Sequence, residues 1–254
     1  MSPLLSIKNL TVTVNATKIL DDVTLEVPQG KIVGVVGGSG SGKTTLGLSI
    51  LKLLPSVMQL RSGDIIFDGQ NIVTTTDAKM RSLRGKEMSM VFQEPLSAFD
   101  ALFTIGYQID ETLCAHTDFS AIFRRKMIID ILRSVEIDDP ERIYKSYPHQ
   151  LSGGLRQRAM IAQAICCKPK LIIADEPTSN LDVTIQAKIM KLLRKLNKEY
   201  QMTVLLIAHD LGMVGHLSDE IVVMQEGKIV EYGRSFDVLH HPQHSYTQRL
   251  IEAY

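Results

Sequence analysis

Tryptophan is absent from this 254-residue chain, and no aromatic residue of any kind occurs before Phe67. Cysteine is scarce. Cys114, Cys166 and Cys167 have neither zinc-motif nor disulfide-framework spacing. The neighbouring Cys166 and Cys167 read as core packing, with diverging side chains if their segment is helical. Neither sign of charge is in surplus: Lys plus Arg and Asp plus Glu each number 28. That balance argues against a general nucleic-acid binder, which carries a clear basic excess. The run Arg124-Arg125-Lys126 reads as a solvated helix face. Long apolar stretches are also missing; none reaches the roughly 18–20 residues that span a bilayer. The opening MSPLLSIKNLTVTVN has neither the basic end nor the apolar stretch of a secretory signal. A cytosolic chain is expected, reaching a membrane only through a partner.

What is present is a series of short apolar runs. LSIKNLTVTV, DVTLEV, KIVGVVG, DIIFDG, MSMVFQ, KLIIAD, VLLIAHD, EIVVMQ and KIVEYG read as strands. KIVGVV, KLIIAD and TVLLIA are apolar almost throughout, as in parallel strands covered on both faces. The early strands, broken by turn signals at Pro28-Gln29-Gly30 and Asp68-Gly69, look antiparallel. Helical periodicity marks TTLGLSILKLL and TIQAKIMKLLRKLNKEY. From about residue 95 to 158 the pattern changes to helix-like stretches without a convincing strand. The expectation is one α/β domain: a core over about 1–94 and 159–254, with a helical subdomain inserted over about 95–158.

Gly37-Gly38-Ser39-Gly40-Ser41-Gly42-Lys43-Thr44 matches G-x-x-x-x-G-K-[ST] and lies between the strand KIVGVV and the helix TTLGL, where that motif functions. Its glycines let backbone N–H groups converge on phosphate oxygens, and the helix N-terminus adds partial positive charge. Lys43 would bridge β- and γ-phosphates. Thr44, followed by Thr45, would supply a hydroxyl to Mg²⁺. A second apolar strand, Leu171 to Ala174, ends in Asp175 and Glu176. Asp175 would hold the Mg²⁺ shell through water, and Glu176 would polarise the attacking water. These two elements predict an ATPase or GTPase.

Leu151-Ser152-Gly153-Gly154-Leu155-Arg156-Gln157-Arg158 opens another apparent helix and forms a second anion site by the same helix-terminus physics. At this point the sequence resembles the nucleotide-binding subunits of ABC transporters, over almost its whole length. The resemblance implies a P-loop NTPase of ABC type: a RecA-like mixed core, an antiparallel β subdomain and the helical insertion. It implies that Ser152, Gly153 and Gly154 cap ATP held by the opposite subunit, with Leu155 replacing the commoner glutamine. Gln93 resembles the glutamine that touches Mg²⁺ and senses the membrane partner. Ser179-Asn180-Leu181-Asp182 resembles the loop that crosses the dimer interface. His209 resembles the histidine that contacts the γ-phosphate. One departure stands out. The family stacks adenine on an aromatic residue before the phosphate loop, and ungapped spacing puts Val14 there, so stacking would become plain apolar contact.

The resemblance further implies ATP and Mg²⁺ as cofactors and work at the cytoplasmic face of the cell membrane. The implied partners are two integral-membrane permeases, a second and non-identical ATPase subunit, and indirectly an extracytoplasmic binding protein, with no nucleic acid. VLHHPQHSYTQRLIEAY, FQEPLSAFD and AHDLGMV are similar to importers of peptides, nickel and metallophores. The chain's end at Tyr254, with SAFDALFTIGYQIDETLCAHT and IDDPERIYKSYPHQLSGG, favours the nickel and metallophore members over dipeptide importers. A soluble ABC-type ATPase acting on nucleic acid or ribosomes, and a non-hydrolysing regulatory module, are the competing readings. Glu176 with His209 argues for turnover. His240, His241 and His244 read as a solvated connection rather than a metal site.

Overall fold

The computed structural model describes residues 3–179 and 181–252. Asn180 of the expected interface loop, and Ala253 and Tyr254 of the C-terminal stretch, lie outside them. Two compact units are present: residues 1–81 with 201–254, and residues 82–200.

The first unit begins with β1 (Leu5–Val14), β2 (Thr17–Val27), β3 (Ile32–Val36), α1 (Lys43–Ile50), β4 (Met58–Phe67) and β5 (Gln70–Asn71), and leaves along α2 (Asp77–Leu83). Strands β2, β1, β4 and β5 lie side by side in that order, every pair antiparallel. The expected antiparallel sheet is therefore present. Strand β4 begins six residues before the DIIFDG run, at Met58; its first half is polar and half-exposed, so apolar alternation could not mark it. A bulge between Ile7 and Leu10 adds twist to β1. Gly63 makes that bulge possible: a Cβ there would lie 2.6 Å from the Asn9 carbonyl oxygen.

The second unit runs β6 (Met88–Val91), α3 (Pro95–Ala98), α4 (Ile105–His116), α5 (Ala121–Ser134), α6 (Pro140–Lys145), a 3₁₀ turn, α7 (Gly153–Ile165), β7 (Leu171–Asp175) and α8 (Val183–Tyr200). Between residues 95 and 158 only helices and turns occur among the described residues. Their starts are written in the sequence. Thr104, Ser120 and Asp139 each accept a backbone N–H from three residues on, capping α4, α5 and α6. Ile105, Ile109 and Leu113 of α4 are buried, as are Ile128, Ile131 and Leu132 of α5. Arg125 and Lys126 are exposed, as expected of a solvated helix face, whereas Arg124 is half-buried. Arg124 forks onto Asp110 at 2.7 and 3.1 Å, joining α5 to α4. Helix α7 is tied to the α5–α6 connection by Arg158, which donates to the Val135 carbonyl at 2.7 Å and to Glu136 Oε2 at 3.0 Å. That bond holds the Glu136 carboxyl below its ordinary range. Because α7 ends at Ile165, Cys166 and Cys167 fall in a turn and do not diverge; their sulfurs are 3.9 Å apart.

The chain then returns to the first unit with β8 (Thr203–Ile207), α9 (Leu211–Leu217), β9 (Glu220–Gln225), β10 (Lys228–Arg234), α10 (Ser235–His240) and α11 (Ser245–Glu252). Strand β3 is flanked by β8 and β9, both parallel to it, and β10 closes antiparallel on β9. Every residue of β3 and β8 is buried, which is why these runs read as continuously apolar. Gly34 sits mid-strand because α9 crosses there: a Cβ would lie 2.0 Å from Val214 Cγ1.

Candidate nucleotide site

Strand β3 delivers the chain to its carboxyl edge, and the turn Gly37–Gly42 carries it into α1. Gly42 has φ +101°, and a Cβ on it would stand 2.9 Å from the Ile19 carbonyl oxygen. Only glycine fits that backbone at low cost. Lys43 opens α1 and is buried, at 6% exposure. Its ammonium donates to the carbonyls of Gly37 and Gly38, each at 2.9 Å, and lies 3.5 Å from Ser41 Oγ. The turn thus wraps around a cation, with Ser39, Gly40 and Thr44 exposed at its surface and Thr45 buried beneath. Gly42 places no side chain over the N-terminus of α1, and a helix N-terminus, with its backbone N–H groups and partial positive charge, suits a phosphate chain.

His209 enters the same neighbourhood by strand register. Val35 of β3 pairs with Ile207 of β8 in a parallel ladder. Gly37 and His209 each lie two residues beyond that pair, so both leave the same sheet edge, where α/β folds hold ligands. His209 is exposed. Asp210 beside it accepts the Met213 N–H at 2.9 Å and starts α9, which fixes the turn that carries the imidazole. Val14 ends β1 opposite Thr17 and Met58, half-buried, in the antiparallel sheet.

The second unit repeats the register device. Val91 of β6 pairs with Ala174 of β7, and Gln93 and Glu176 each follow two residues later. Gln93 Nε2 donates to Glu176 Oε2 at 2.9 Å. Asp175 is buried at 4% exposure, whereas Glu176 is half-buried. Glu176 has φ +43°, a left-handed conformation that costs a non-glycine residue energy and concentrates at functional sites. Ser179 Oγ lies within hydrogen-bond range of two carbonyls, Gln93 at 3.2 Å and Glu176 at 3.1 Å. It pins both functional loops, a role that its place in the interface loop did not signal.

Ser152 is exposed at the N-terminus of α7, where its Oγ accepts the Leu155 N–H at 3.4 Å. Gly153 and Gly154 allow close packing: a Cβ on them would come within 3.3 Å of Leu181 and 3.2 Å of Ile185. Asp182 Oδ1 accepts the Ile185 N–H at 2.9 Å, so within this chain Asp182 caps the start of α8. Within the second unit Gln93 and Asp175 supply amide and carboxylate oxygens, and within the first Thr44 supplies a hydroxyl; each is a hard donor of the kind that Mg²⁺ takes. Among the described residues no group of three His, Cys, Asp or Glu side chains is placed to hold a metal. His240 instead stacks edge-on against Phe236, and His244 Nδ1 accepts the Tyr246 N–H. Sequence reasoning also missed Tyr246 itself, whose hydroxyl accepts the Gly38 N–H at 2.8 Å.

The ABC transporter family profile matches residues 20–179. Among curated proteins, the chain is similar to the peptidoglycan transport ATP-binding protein YejF of Agrobacterium fabrum. The two are 44% identical over 256 residues, and the match spans 99% of this chain but 47% of that protein. Similarity to the dipeptide transport ATP-binding protein DppD of Escherichia coli is 42% identity over 236 residues, 93% of this chain and 72% of that protein. The metal-staphylopine import system ATP-binding protein CntD of Staphylococcus aureus is 40% identical over 250 residues, covering 98% of this chain and 92% of that protein. Among solved structures, the ATP-binding cassette MJ0796, a dimer in a post-hydrolysis state bound to ADP and Pi, superposes with a TM-score of 0.81. It is 29% identical, covering 91% of this chain and 98% of that one.

Proposed function

The chain belongs to the ABC transporter family of ATP-binding proteins, and from that membership we propose that it is the ATP-hydrolysing subunit of a bacterial importer. It acts as a single ABC ATPase domain, with a core over 1–94 and 159–254 and a helical subdomain over 95–158. The turn Gly37–Thr44 and Thr45 take the triphosphate, and Lys43 exchanges loop carbonyls for phosphate oxygens. Val14 offers the base plain apolar contact in place of ring stacking. Thr44, Gln93 and Asp175 hold Mg²⁺, which when bound neutralises charge on the phosphates. Glu176 takes a proton from the attacking water and His209 orients it toward the γ-phosphate.

Ser152, Gly153 and Gly154 close on ATP held by a facing ATPase subunit, with Asp182 at the same junction. The dimeric state of the similar cassette MJ0796 supports this arrangement. Two nucleotides between two subunits favour the closed state, and hydrolysis releases it; that population shift drives a partner. No helix among the described residues is long and apolar enough to cross a membrane. The partners in this reading are two membrane permeases, a non-identical ATPase companion and, indirectly, an extracytoplasmic binding protein. The work is done at the cytoplasmic face of the cell membrane.

One observation carries the hydrolytic reading. The Glu176 carboxylate sits on a left-handed turn at a strand end and accepts the Gln93 amide N–H at 2.9 Å, and a carboxylate held in this way supports the general-base reading. Glu176→Gln is expected to bind ATP and to lose steady-state hydrolysis; undiminished turnover would remove the assignment. For cargo, nickel or a metal–metallophore complex is one reading; the 40% identity to the metal-staphylopine ATPase CntD supports its metallophore form. A peptide cargo is supported as well by the 42% identity to DppD. Uptake of labelled nickel, metallophore complex and dipeptide by a strain lacking the chain separates them, since only the true cargo stops entering.

A further inference from the structure

The proposed nucleotide site leaves one polar contact without a role. Gly38 lies second in the phosphate turn, and its N–H donates to the hydroxyl of Tyr246 at 2.8 Å. Its carbonyl accepts Lys43 Nζ at 2.9 Å and the Ser41 N–H at 3.2 Å. The two peptide planes that meet at Gly38 Cα are therefore both pinned. Glycine has the widest backbone freedom of any residue, so these bonds remove an entropy that the turn would otherwise lose on closing over a ligand. Glycine is also what lets the tyrosine in: a Cβ on Gly38 would stand 3.1 Å from the hydroxyl.

Tyr246 does not hang from a loose tail. Both oxygens of Glu231, in β10, accept backbone N–H groups of the segment before it, from Gln243 at 2.8 Å and His244 at 3.1 Å. The Tyr246 N–H then donates to His244 Nδ1 at 3.2 Å, and Thr247 is fully buried. A rigid strand, a carboxylate clamp, a buried threonine and a phenol thus connect the sheet to the phosphate turn. Were Lys43 to exchange the Gly38 carbonyl for a phosphate oxygen, the phenol would remain a partner within reach of the Gly38 N–H.

We propose that Tyr246 is a positioning residue of the nucleotide site, fixing the Gly38 peptide so that the turn meets the triphosphate already shaped. This rests on the reading of Gly37–Thr44 as the triphosphate cradle. Tyr246→Phe keeps the ring, including its place beneath the Arg249 guanidinium 6.0 Å away, and removes only the hydroxyl. In the assembled ATPase, KM for ATP is expected to rise about fivefold, the scale of one neutral hydrogen bond, with a smaller change in kcat. Amide exchange at Gly38 is expected to quicken while exchange in β3 and β8 stays as in the parent. Glu231→Ala leaves the phenol but releases its anchor, and is expected to shift KM in the same direction. Parent-like KM and Gly38 exchange in Tyr246→Phe would overturn the proposal. So would faster exchange spread evenly over the unit, which is the signature of a packing residue. Lys43→Ala run in parallel separates the premises. Normal ATP binding there removes the cradle reading and the proposal with it. Lost binding there, beside a parent-like Tyr246→Phe, removes the proposal alone.

Discussion

In each unit a pair of parallel strands ends in register and releases its functional residues two positions later: Gly37 beside His209 in the first, Gln93 beside Glu176 in the second. The device is shared, and the finish differs. The phosphate turn is satisfied from within, its buried lysine wrapped by its own carbonyls and its second glycine held by Tyr246. The second unit presents exposed groups: Gln93, Ser152 and Asp182 face solvent, and Glu176 sits in a strained turn. The contrast teaches that the phosphate turn is satisfied within its own unit, whereas Gln93, Ser152 and Asp182 are left exposed in theirs, as the proposed function asks of groups that act on ATP.

The sharpest way to break the comparison is Lys43→Ala. Removing a buried cation from the phosphate turn is expected to weaken ATP binding by about 100-fold or more, read by equilibrium titration; retained affinity would dissolve the distinction. Ser152→Ala should do the opposite. ATP affinity of the isolated chain stays near parental, while turnover of the assembly falls by roughly tenfold. A proportionate loss of both would mean that the serine serves its own unit.

A third substitution tests whether the binding half depends on a rigid platform. Gly34→Ala forces a methyl into Val214, with an expected stability loss of about 1–3 kcal/mol by overpacking, measured by denaturant titration. The smallest effect concerns the Glu231 clamp. Burial alone would raise this carboxyl, but the backbone N–H groups of Gln243 and His244 hold it below its ordinary value. A depressed carboxyl adds stability above the unfolded glutamate value of 4.5 and loses it as pH falls through the lower folded value. Parent and Glu231→Gln should therefore differ in stability at neutral pH and converge in acid. A gap that widened in acid would reverse the assigned sign.

Much of the site was legible because its signals are local. The lysine-bearing turn, the acid-ended strand and the Ser-Gly-Gly helix start each declare themselves within about ten residues, and strand register sets Gly37 beside His209 in one unit and Gln93 beside Glu176 in the other. The helical stretch from 95 to 158 was legible for the same reason, since Thr104, Ser120 and Asp139 cap helices in their own sequence neighbourhood. What escaped depends on distant pairs. Tyr246 meets Gly38 across 208 positions, and Arg124 meets Asp110 only once two helices have packed. The short elements β5 and α6 carry too few residues to show a period. The turn after α7 defeats helical periodicity at Cys166 and Cys167, because the helix stops one residue earlier.

The most direct measurement is a structure of the Glu176→Gln assembly, with its companion ATPase, ATP and Mg²⁺. The triphosphate is expected to lie in the Gly37–Thr44 turn of one subunit, with the serine that opens the Ser-Gly-Gly cap of the facing subunit within hydrogen-bonding distance of the γ-phosphate. A triphosphate that touches one chain alone, with Ser152 remote from any nucleotide, would contradict the account.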